Sequence, residues 1–323
     1  LPSGAVVNGS EAVANLGIHI TSDVEVTVYG LNLVPFTSDA FLALPVDILN
    51  TQYIVASYPK TTRGGWGQSQ FIVVSPYDDN IITITPSAQT ALGKPANTPF
   101  QVTLNEGEVY QVQGTLTGGN DLTGSLIQST LPVAVFAGNE CADIPWNSGD
   151  CCCDHVVEQL TPVSTWGNSF VTQPLETRSN GDLFRVVASG DNTEVFVNGV
   201  SVATLNFAEF YEDVLVDASF IEATKPVLVM QFSMSDEWDP GVNSDPFMML
   251  IPPYEQFFNS YTFATPSEGF AFNFVNLTVE NEGVDFHFLD NNPVDPSNFA
   301  AIPGSNFSGT GLGIEIGTHS SYN

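Results

Sequence analysis

The sequence predicts an all-β protein. Phe and Tyr number 23 and 9 among 323 residues, whereas the helix-favouring residues Lys and Arg total only six. The 27 glycines and 21 prolines suit a chain with many turns. Apolar and polar residues alternate in many short stretches, and this period of two is typical of half-buried strands. Together these observations predict β-hairpins packed into sandwich-like modules.

The chain repeats one pattern three times. Residues 18–29, 125–136 and 219–230 each start with apolar positions, pass through a short polar turn and end in an apolar stretch. This order predicts a hairpin arm that enters a buried strand. Pro132 and Pro226 occupy the same place at the strand entry, where a missing backbone N–H is tolerated. The spacing predicts modules of about 100 residues.

A second pattern recurs upstream of these arms. Residues 69–87 and 182–200 each read as strand, Asp-Asn turn, strand. Residues 272–290 read as a third copy, with Asn-Glu-Gly at 281–283 as the turn. Asp, Asn and Gly tolerate tight-turn geometry, so each copy is predicted to be a β-hairpin.

The copies are out of phase with the ends of the chain. The N-terminal stretch supplies the second half of a repeat, and the C-terminal stretch supplies a first half. The N-terminal arm is predicted either to close the last repeat into a ring or to complete the last repeat of a neighbouring molecule. The predicted parts are the arm (1–45), the first repeat (46–140), a joint holding all four cysteines (141–165), the second repeat (166–250) and a third, incomplete repeat (251–323).

The charge excludes two classes of partner. The formal net charge is −30, from 36 acidic and 6 basic residues. Such a surface repels nucleic acid and anionic membranes. The sequence has no run of 18 apolar residues, so no membrane span is predicted. The acidic surface suits an extracellular medium and attracts cations, so Ca²⁺ is the candidate cofactor. The chain begins at Leu1, which fits either a removed signal peptide or a fragment.

Seven strings carry a resemblance to a known family. They are VYGLN (28–32), FLALPVD (41–47), YIVASYP (53–59), PVAVFAGNECADIP (132–145), CDHVVEQLTPVSTWGNSFVTQPL (153–175), FRVVASGDNTEVFVNG (184–199) and DPFMMLIPPYEQFFNSYTFATP (245–266). Together they resemble the domain named for the N-terminal region of the IgG Fc-binding protein. The resemblance implies an extracellular, non-catalytic, all-β module used in adhesion, matrix or mucus. IgG binding is not implied, because the cysteine-rich repeats of the protein that names the family are absent here.

The resemblance also implies a disulfide. The family typically has one cysteine before an Ile-Pro or Val-Pro pair and one in a Cys-Asp-His string, here Cys141 and Cys153. That bridge would close a loop of about 13 residues and stabilise the fold by about 3 kcal/mol. Cys151 and Cys152 are additional, and they could form a vicinal bond, pair with another subunit or stay as thiols. A metal site of four cysteines with His155 is an alternative, but it lacks the C-x₂-C pairs of zinc sites.

The joint contains residues of catalytic type. Asp154, His155 and Glu158 lie close together in the sequence, but no G-x-S-x-G or H-E-x-x-H string accompanies them. We expect Asp154 and His155 to hydrogen-bond the backbone of the joint, and Glu158 to cap or turn the chain. Trp166 belongs to the same joint. The chain is therefore not predicted to be an enzyme.

The acidic loop 233–246 is a weaker candidate site. Oxygen ligands at short spacing around Gly241 suit Ca²⁺, although the spacing is not that of an EF-hand. A solvated loop is the alternative. The predicted ligands are Asp236, Asp239, Asn243 and Asp245.

These features predict an exported structural or adhesive protein of the cell surface or matrix. It would assemble into a homo-oligomer or filament through edge strands or terminal arms, or bind other matrix and surface proteins. The alternative is a monomeric module that binds a glycan or a protein. The residues expected to carry self-contact are Ile18, Ile20, Val24, Val26, Val28, Ile314 and Ile316.

Overall fold

The protein is all-β, as predicted. The computed structural model describes residues 6–34, 37–62, 64–148, 153–239 and 245–323. These residues form 24 strands and six short 3-10 helices. None of the helices in these ranges is long and apolar enough to cross a membrane.

The strands fall into three successive groups. The arm and the first group comprise β1 (Val13–Asn15), β2 (Val28–Val34), β3 (Thr37–Ala43), β4 (Asn50–Ile54), β5 (Ser69–Val74), β6 (Asn80–Thr85), β7 (Phe100–Leu104), β8 (Glu108–Gln113), β9 (Leu126–Ala142) and β10 (Asp154–Leu160). The second group comprises β11 (Gly167–Thr172), β12 (Asp182–Ala188), β13 (Thr193–Val197), β14 (Val200–Leu205), β15 (Phe210–Leu215), β16 (Ser219–Phe232) and β17 (Met248–Ile251). The third comprises β18 (Ser260–Ala264), β19 (Asn273–Glu280), β20 (Phe288–Leu289), β21 (Asn292–Pro293), β22 (Ala300–Ala301), β23 (Phe307–Ile314) and β24 (Thr318–Tyr322). The 3-10 helices are Val46–Ile48, Val163–Thr165, Asp236–Trp238, Tyr254–Gln256, Asn281–Phe286 and Pro296–Asn298.

Two large sheets share one topology. In module 1 (residues 45–160) the strand order is β8-β5-β9-β6-β7, and β4 and β10 also pair with β9. In module 2 (residues 162–251) the order is β15-β12-β16-β13-β14, and β11 and β17 also pair with β16. Each strand of module 1 thus has a counterpart in module 2 that comes seven strands later. The sequence repeat is therefore a repeat of the whole module.

One long strand organises each module. The first half of β9 pairs with β4 and β6, and its second half pairs with β5 and β10. The first half of β16 pairs with β11 and β13, and its second half pairs with β12 and β17. Pro132 and Pro226 lie between the two halves, where the strand passes from one set of partners to the other. A residue without an N–H is tolerated there because no ladder bond is lost.

The predicted hairpins at 69–87 and 182–200 are wrong, although their turns are present. β5 and β6 lie on opposite sides of β9, and β12 and β13 lie on opposite sides of β16. Asp79 and Asn192 both have φ near 54°, the left-handed conformation predicted for these turns. A turn between two strand patterns indicates neighbours in sequence, but it does not show that a distant strand inserts between them.

Module 3 (residues 253–322) also differs from the predicted hairpin at 272–290. A 3-10 helix follows β19, and β20 is only two residues long. β19 pairs with β23, whereas β20 pairs with β21 and β24. The order β18-β24-β20-β21 matches β11-β16-β13-β14 of module 2. β24 therefore occupies the place of the first half of a long strand.

The N-terminal arm packs on module 1. β1 pairs antiparallel with β8, with Val13 opposite Tyr110. The Glu11 carboxylate accepts a hydrogen bond from the Thr90 hydroxyl and lies 3.6 Å from Lys94 Nζ. β2 and β3 form a two-stranded hairpin, and β3 packs against β10.

Apolar clusters join neighbouring modules. Phe71 and Val135 of module 1 share a buried cluster with Phe232 of module 2. A smaller cluster joins Val171 of module 2 to Phe307 of module 3. The division into five parts drawn from the sequence stays a prediction, because the strand pairings define modules and not those boundaries.

Candidate functional site

Three equivalent strands meet at a buried joint. β3, β10 and β17 each run into a proline and a 3-10 helix that opens the next module. Asp39 Oδ2 on β3 accepts hydrogen bonds from Val157 N on β10 at 2.7 Å and from Met248 N on β17 at 3.3 Å. One carboxylate thus ties all three strands together. We call this contact of β3, β10 and β17 the triple-strand joint.

A second carboxylate lies in the same joint. Glu158 is buried on β10 and accepts hydrogen bonds from the backbone N–H groups of Gln159 and Leu250. Burial, helped by the negative charge of Asp39, outweighs those hydrogen bonds and raises the pKa of Glu158 to about 8. Burial likewise raises the pKa of Asp39 to about 7. Burial also raises the pKa of Asp182, in module 2, to about 6.

These carboxyl groups predict a fold that is more stable in mild acid. At a pH between its ordinary pKa and its raised pKa, each carboxyl group holds a proton in the folded chain but not in the unfolded chain. The free energy of unfolding therefore falls as pH rises above about 4, by up to about 1.4 kcal/mol per pH unit for each such group. The contribution of each group ends near its raised pKa, which is about 6 for Asp182, about 7 for Asp39 and about 8 for Glu158. Urea unfolding at pH 5 and pH 8 measures the difference.

Glu158→Gln is the matched variant for that experiment. It cannot ionise, so its loss of stability between pH 5 and pH 8 should be smaller than that of the parent chain. An exposed control, Glu106→Gln, should leave the difference unchanged. Equal slopes for Glu158→Gln and the parent would contradict the role of this carboxyl group.

The disulfide implied by the family resemblance is present. Cys141 at the end of β9 is bonded to Cys153 just before β10, with a Cα–Cα distance of 4.8 Å. It closes the open end of the β9–β10 ladder, where Asp154 pairs with Ala142. Because disulfides persist in oxidising compartments, this bond is consistent with export. Cys151 and Cys152 lie outside the described residues, so their predicted states stay predictions.

The other predicted joint residues lie at the start of β10 and just before β11. Asp154 is buried at the start of β10. The backbone N–H of His155 donates to the Thr37 hydroxyl of β3 at 2.9 Å. Burial lowers the pKa of the His155 ring, and the charge of Glu140 opposes that shift. Trp166 is buried and donates its indole N–H to the carbonyl of Thr161 at 3.2 Å.

A buried arginine, which sequence reasoning missed, links modules 1 and 2. Arg185 on β12 donates from Nη1 to Asp121 Oδ2 and to the carbonyl oxygen of Ser57, both at 2.8 Å. Its Nε donates to Glu212, and its guanidinium stacks 4.8 Å from the Tyr58 ring centroid. The sequence did contain a signal for this contact: Arg185 is one of only six basic residues, and it lies inside an apolar strand pattern.

Asp239 of the acidic loop makes contacts within the protein. Asp239 Oδ2 lies 3.5 Å from Arg178 Nη1, and both side chains are buried. Burial raises the pKa of Asp239, but hydrogen bonds from Ser179 and Asn180 together with Arg178 outweigh it and hold that pKa below its usual value.

The predicted calcium ligands do not form a complete set in the described residues. The 3-10 helix of the loop contains Asp236, and Asp245 accepts a hydrogen bond from Ser38 at 3.3 Å. Asn243 lies outside the described residues. Within those that are described, no group of three or more His, Cys, Asp or Glu side chains is placed to hold a metal ion. The calcium site stays a prediction.

Most of the residues predicted for self-contact are exposed. Ile18, Ile20, Val24 and Val26 lie in the stretch between β1 and β2, which has no regular secondary structure, and Val24 is 72% exposed. Val28 begins β2 and is partly buried. Ile314 ends β23 and Ile316 follows it. Their role in assembly stays a prediction.

β2 and β19 each have one unpaired side. β2 pairs with β3 on one side, and in the described part of the chain no strand pairs with its other side. β19 pairs with β23 on one side and is likewise open on the other. Open edges carry rows of unpaired N–H and C=O groups that can bind another strand.

The fold and the joint define an all-β, disulfide-bonded chain of repeated modules. The family described as IgGFc binding protein matches residues 39–322, and the chain belongs to this family. A relative, the IgGFc-binding protein of Homo sapiens, is 29% identical over 310 residues, which make up 93% of this chain but only 5% of that protein. No solved structure matches the chain. The family resemblance found in the sequence is thereby confirmed.

Proposed function

We propose that the chain is an extracellular protein-binding module with a structural or adhesive role, and that copies of the chain are among its partners. The observation that carries the proposal is the pair of open sheet edges on β2 and β19. The disulfide supports an exported protein. The name of the human relative supports a protein partner, although this chain spans a small part of that protein.

The charge of the chain favours contact through strands over nonspecific clustering. A net charge of −30 makes copies repel one another at long range. Association therefore needs a specific short-range contact, and backbone pairing between open edges supplies one. Salt screens the repulsion, so assembly should increase between low and physiological ionic strength.

Deleting residues 1–30 should abolish assembly. The deletion removes β1 and the first part of β2, together with the exposed apolar stretch between them. Light scattering of the parent and the deleted chain under non-reducing conditions measures the difference in mass. Circular dichroism is the control that the deleted chain keeps its β-structure. A folded deletion variant that still forms large particles would contradict the proposal.

A second candidate function is binding of a glycan by the monomer. Module 3 exposes large aromatic side chains, among them Phe258, Phe272 and Phe286. Saturable binding to a glycan array by a chain that stays monomeric would support this function over self-association. In both cases the proposed role is non-catalytic, and loss of a hydrolase activity in a folded His155→Ala variant would contradict that part.

A further inference from the structure

The second half of a long strand is held between two strands in both complete modules. β9 lies between β5 and β10, and β16 lies between β12 and β17. In module 2, Met230 of β16 lies opposite Arg185 of β12 on one side and Leu250 of β17 on the other. Leu250 stands three residues before Pro253, the proline that opens module 3.

The hairpin β2–β3 has the same register as β16 and β17. Tyr29 of β2 lies opposite Leu42 of β3. Leu42 stands three residues before Pro45, which opens module 1, just as Leu250 precedes the proline that opens module 3. β3 is therefore the counterpart of β17, and β2 is the counterpart of the second half of β16. In this register Tyr29 corresponds to Met230.

β19 is the counterpart of β12. β19 pairs with β23 as β12 pairs with β15, and Asn276 and Arg185 are each the fourth residue of their strand. Both side chains reach the preceding module: Arg185 donates to the carbonyl oxygen of Ser57, and Asn276 Nδ2 donates to that of Pro174 at 3.0 Å. Ser57 and Pro174 stand at the same distance from the proline that opens their module. Asn276 therefore corresponds to Arg185, and its partner across the sheet would be Tyr29.

β2 already lies beside module 3 of its own chain. Leu33 Cδ2 of β2 is 3.0 Å from the position that a Cβ atom at Gly269 would take. Module 2 has the equivalent contact, because Arg178 donates from Nη2 to the carbonyl oxygen of Met234 at 2.6 Å. Leu33 and Met234 hold the same place in the register, and Gly269 and Arg178 each stand four residues before β19 and β12. One end of the expected contact is thus formed within one molecule.

The triple-strand joint holds the hairpin at this place. Asp39 of β3 accepts a hydrogen bond from the backbone of β17 at 3.3 Å, and β17 leads directly into module 3. The Ser38 hydroxyl donates to Asp245, just before β17, at 3.3 Å. In the described residues β2 and β19 form no ladder with each other, so each keeps an unpaired side.

We propose that β2 closes on β19 of its own chain and so completes module 3. The pairing is antiparallel, as between β16 and β12, with Tyr29 opposite Asn276. The same register places Leu31 opposite Phe274, and these side chains are 43% and 45% exposed before closure. Closure covers both of them and pairs the backbone N–H and C=O groups along the two edges.

Closure also regulates the proposed self-association, and this part of the inference rests on that function. β2 and β19 are the edges that carry the function, and a closed copy offers neither of them to a partner. A contact within one chain does not depend on concentration, whereas a contact between chains does. The closed state is therefore the monomer, and β2 must leave β19 before either edge can bind another copy.

A cross-link within one chain tests the closure. The variant carries Tyr29→Cys and Asn276→Cys together, with Cys151→Ser and Cys152→Ser. It is oxidised at low concentration and resolved by mass under non-reducing conditions, and its remaining thiols are counted by alkylation. A disulfide needs facing Cβ atoms about 3.5–4.5 Å apart. The proposal predicts a cross-linked species with the mass of one chain, 34.7 kDa, and no free thiol.

Val275→Cys in place of Asn276→Cys is the matched control. It moves the thiol to the opposite face of β19, so the cross-link within one chain should fall by about tenfold or more. Circular dichroism checks that both variants keep their β-structure. Cysteines at 29 and 276 that link only different chains, or do not link at all, would overturn the closure.

Light scattering of the two oxidised variants at equal concentration tests the regulation. The cross-linked chain should form about tenfold less of the large particles than the Val275→Cys control. Equal assembly of both variants would overturn the regulation. Particles from the control, with no cross-link in the paired variant, would overturn the closure and leave the proposed self-association standing. A control that never forms particles, with the cross-link present, would instead refute self-association and leave the closure standing.

Discussion

Replacing Arg185 with alanine is expected to lower the free energy of unfolding by about 3–5 kcal/mol. The guanidinium is buried and connects Asp121 and Ser57 of module 1 with Glu212 of module 2. Its loss leaves two carboxylates facing each other across the junction and a cavity beside the Tyr58 ring. Chemical denaturation of the oxidised chain measures the effect. The unfolding transition should also separate by module, because this contact couples them.

Two further variants test the physical cause. Arg185→Lys keeps the charge but cannot reach three partners at once, so it should recover part of the lost stability and not all of it. Lys225→Ala removes a basic side chain that is exposed, and it should change stability by less than about 1 kcal/mol. An Arg185→Ala chain as stable as the Lys225→Ala chain would show that the buried contact does not hold the modules together.

Replacing both Cys141 and Cys153 with serine is expected to cost about 3 kcal/mol. The bond closes a loop whose ends are 12 residues apart and ties β9 to β10, the strand that supplies Glu158 to the triple-strand joint. Without it the loop gains freedom in the unfolded chain. Urea unfolding under matched oxidising conditions measures the change in stability.

The chain itself offers the control for that experiment. Cys151→Ser with Cys152→Ser also removes two cysteines but leaves the Cys141–Cys153 bond in place. This pair should keep most of the parent stability, and adding a reductant should destabilise it as much as it destabilises the parent. Equal stability of the chain without the bond and this control would contradict the stabilising role.

Local features of this fold could be predicted from the sequence, but non-local pairing could not. The all-β class and the left-handed turns at Asp79 and Asn192 follow from residue types and short spacing. The repeat also predicts that β9 and β16 are equivalent. It does not show that these strands insert between two others, because those contacts join residues about 40 to 70 positions apart in the chain.

The same limit applies to the charged residues. Asp239 has the spacing of a cation ligand, yet it is buried against Arg178, which precedes it by 61 positions. Asp39 carries no motif, and its role depends on β3, β10 and β17 meeting at one point. The disulfide could be predicted from the sequence because family resemblance, and not spacing alone, identified Cys141 and Cys153.

The repeated topology shows which strands are missing beside β2 and β19 in the described residues. An edge strand on a single sheet could be a finished surface, protected by charge or twist. Here two complete modules show which strand belongs beside β2 and which belongs beside β19. β2 and β19 are therefore the edges at which the described residues lack a strand that the complete modules have.

The most direct test of this account is the mass of the native particle under non-reducing conditions. Light scattering across a range of concentrations, with and without EDTA, is the measurement. Self-association predicts ordered particles well above 34.7 kDa, the mass of one chain. Loss of those particles in EDTA would add Ca²⁺ to the contact. A single species of 34.7 kDa at every concentration would contradict self-association through open edges.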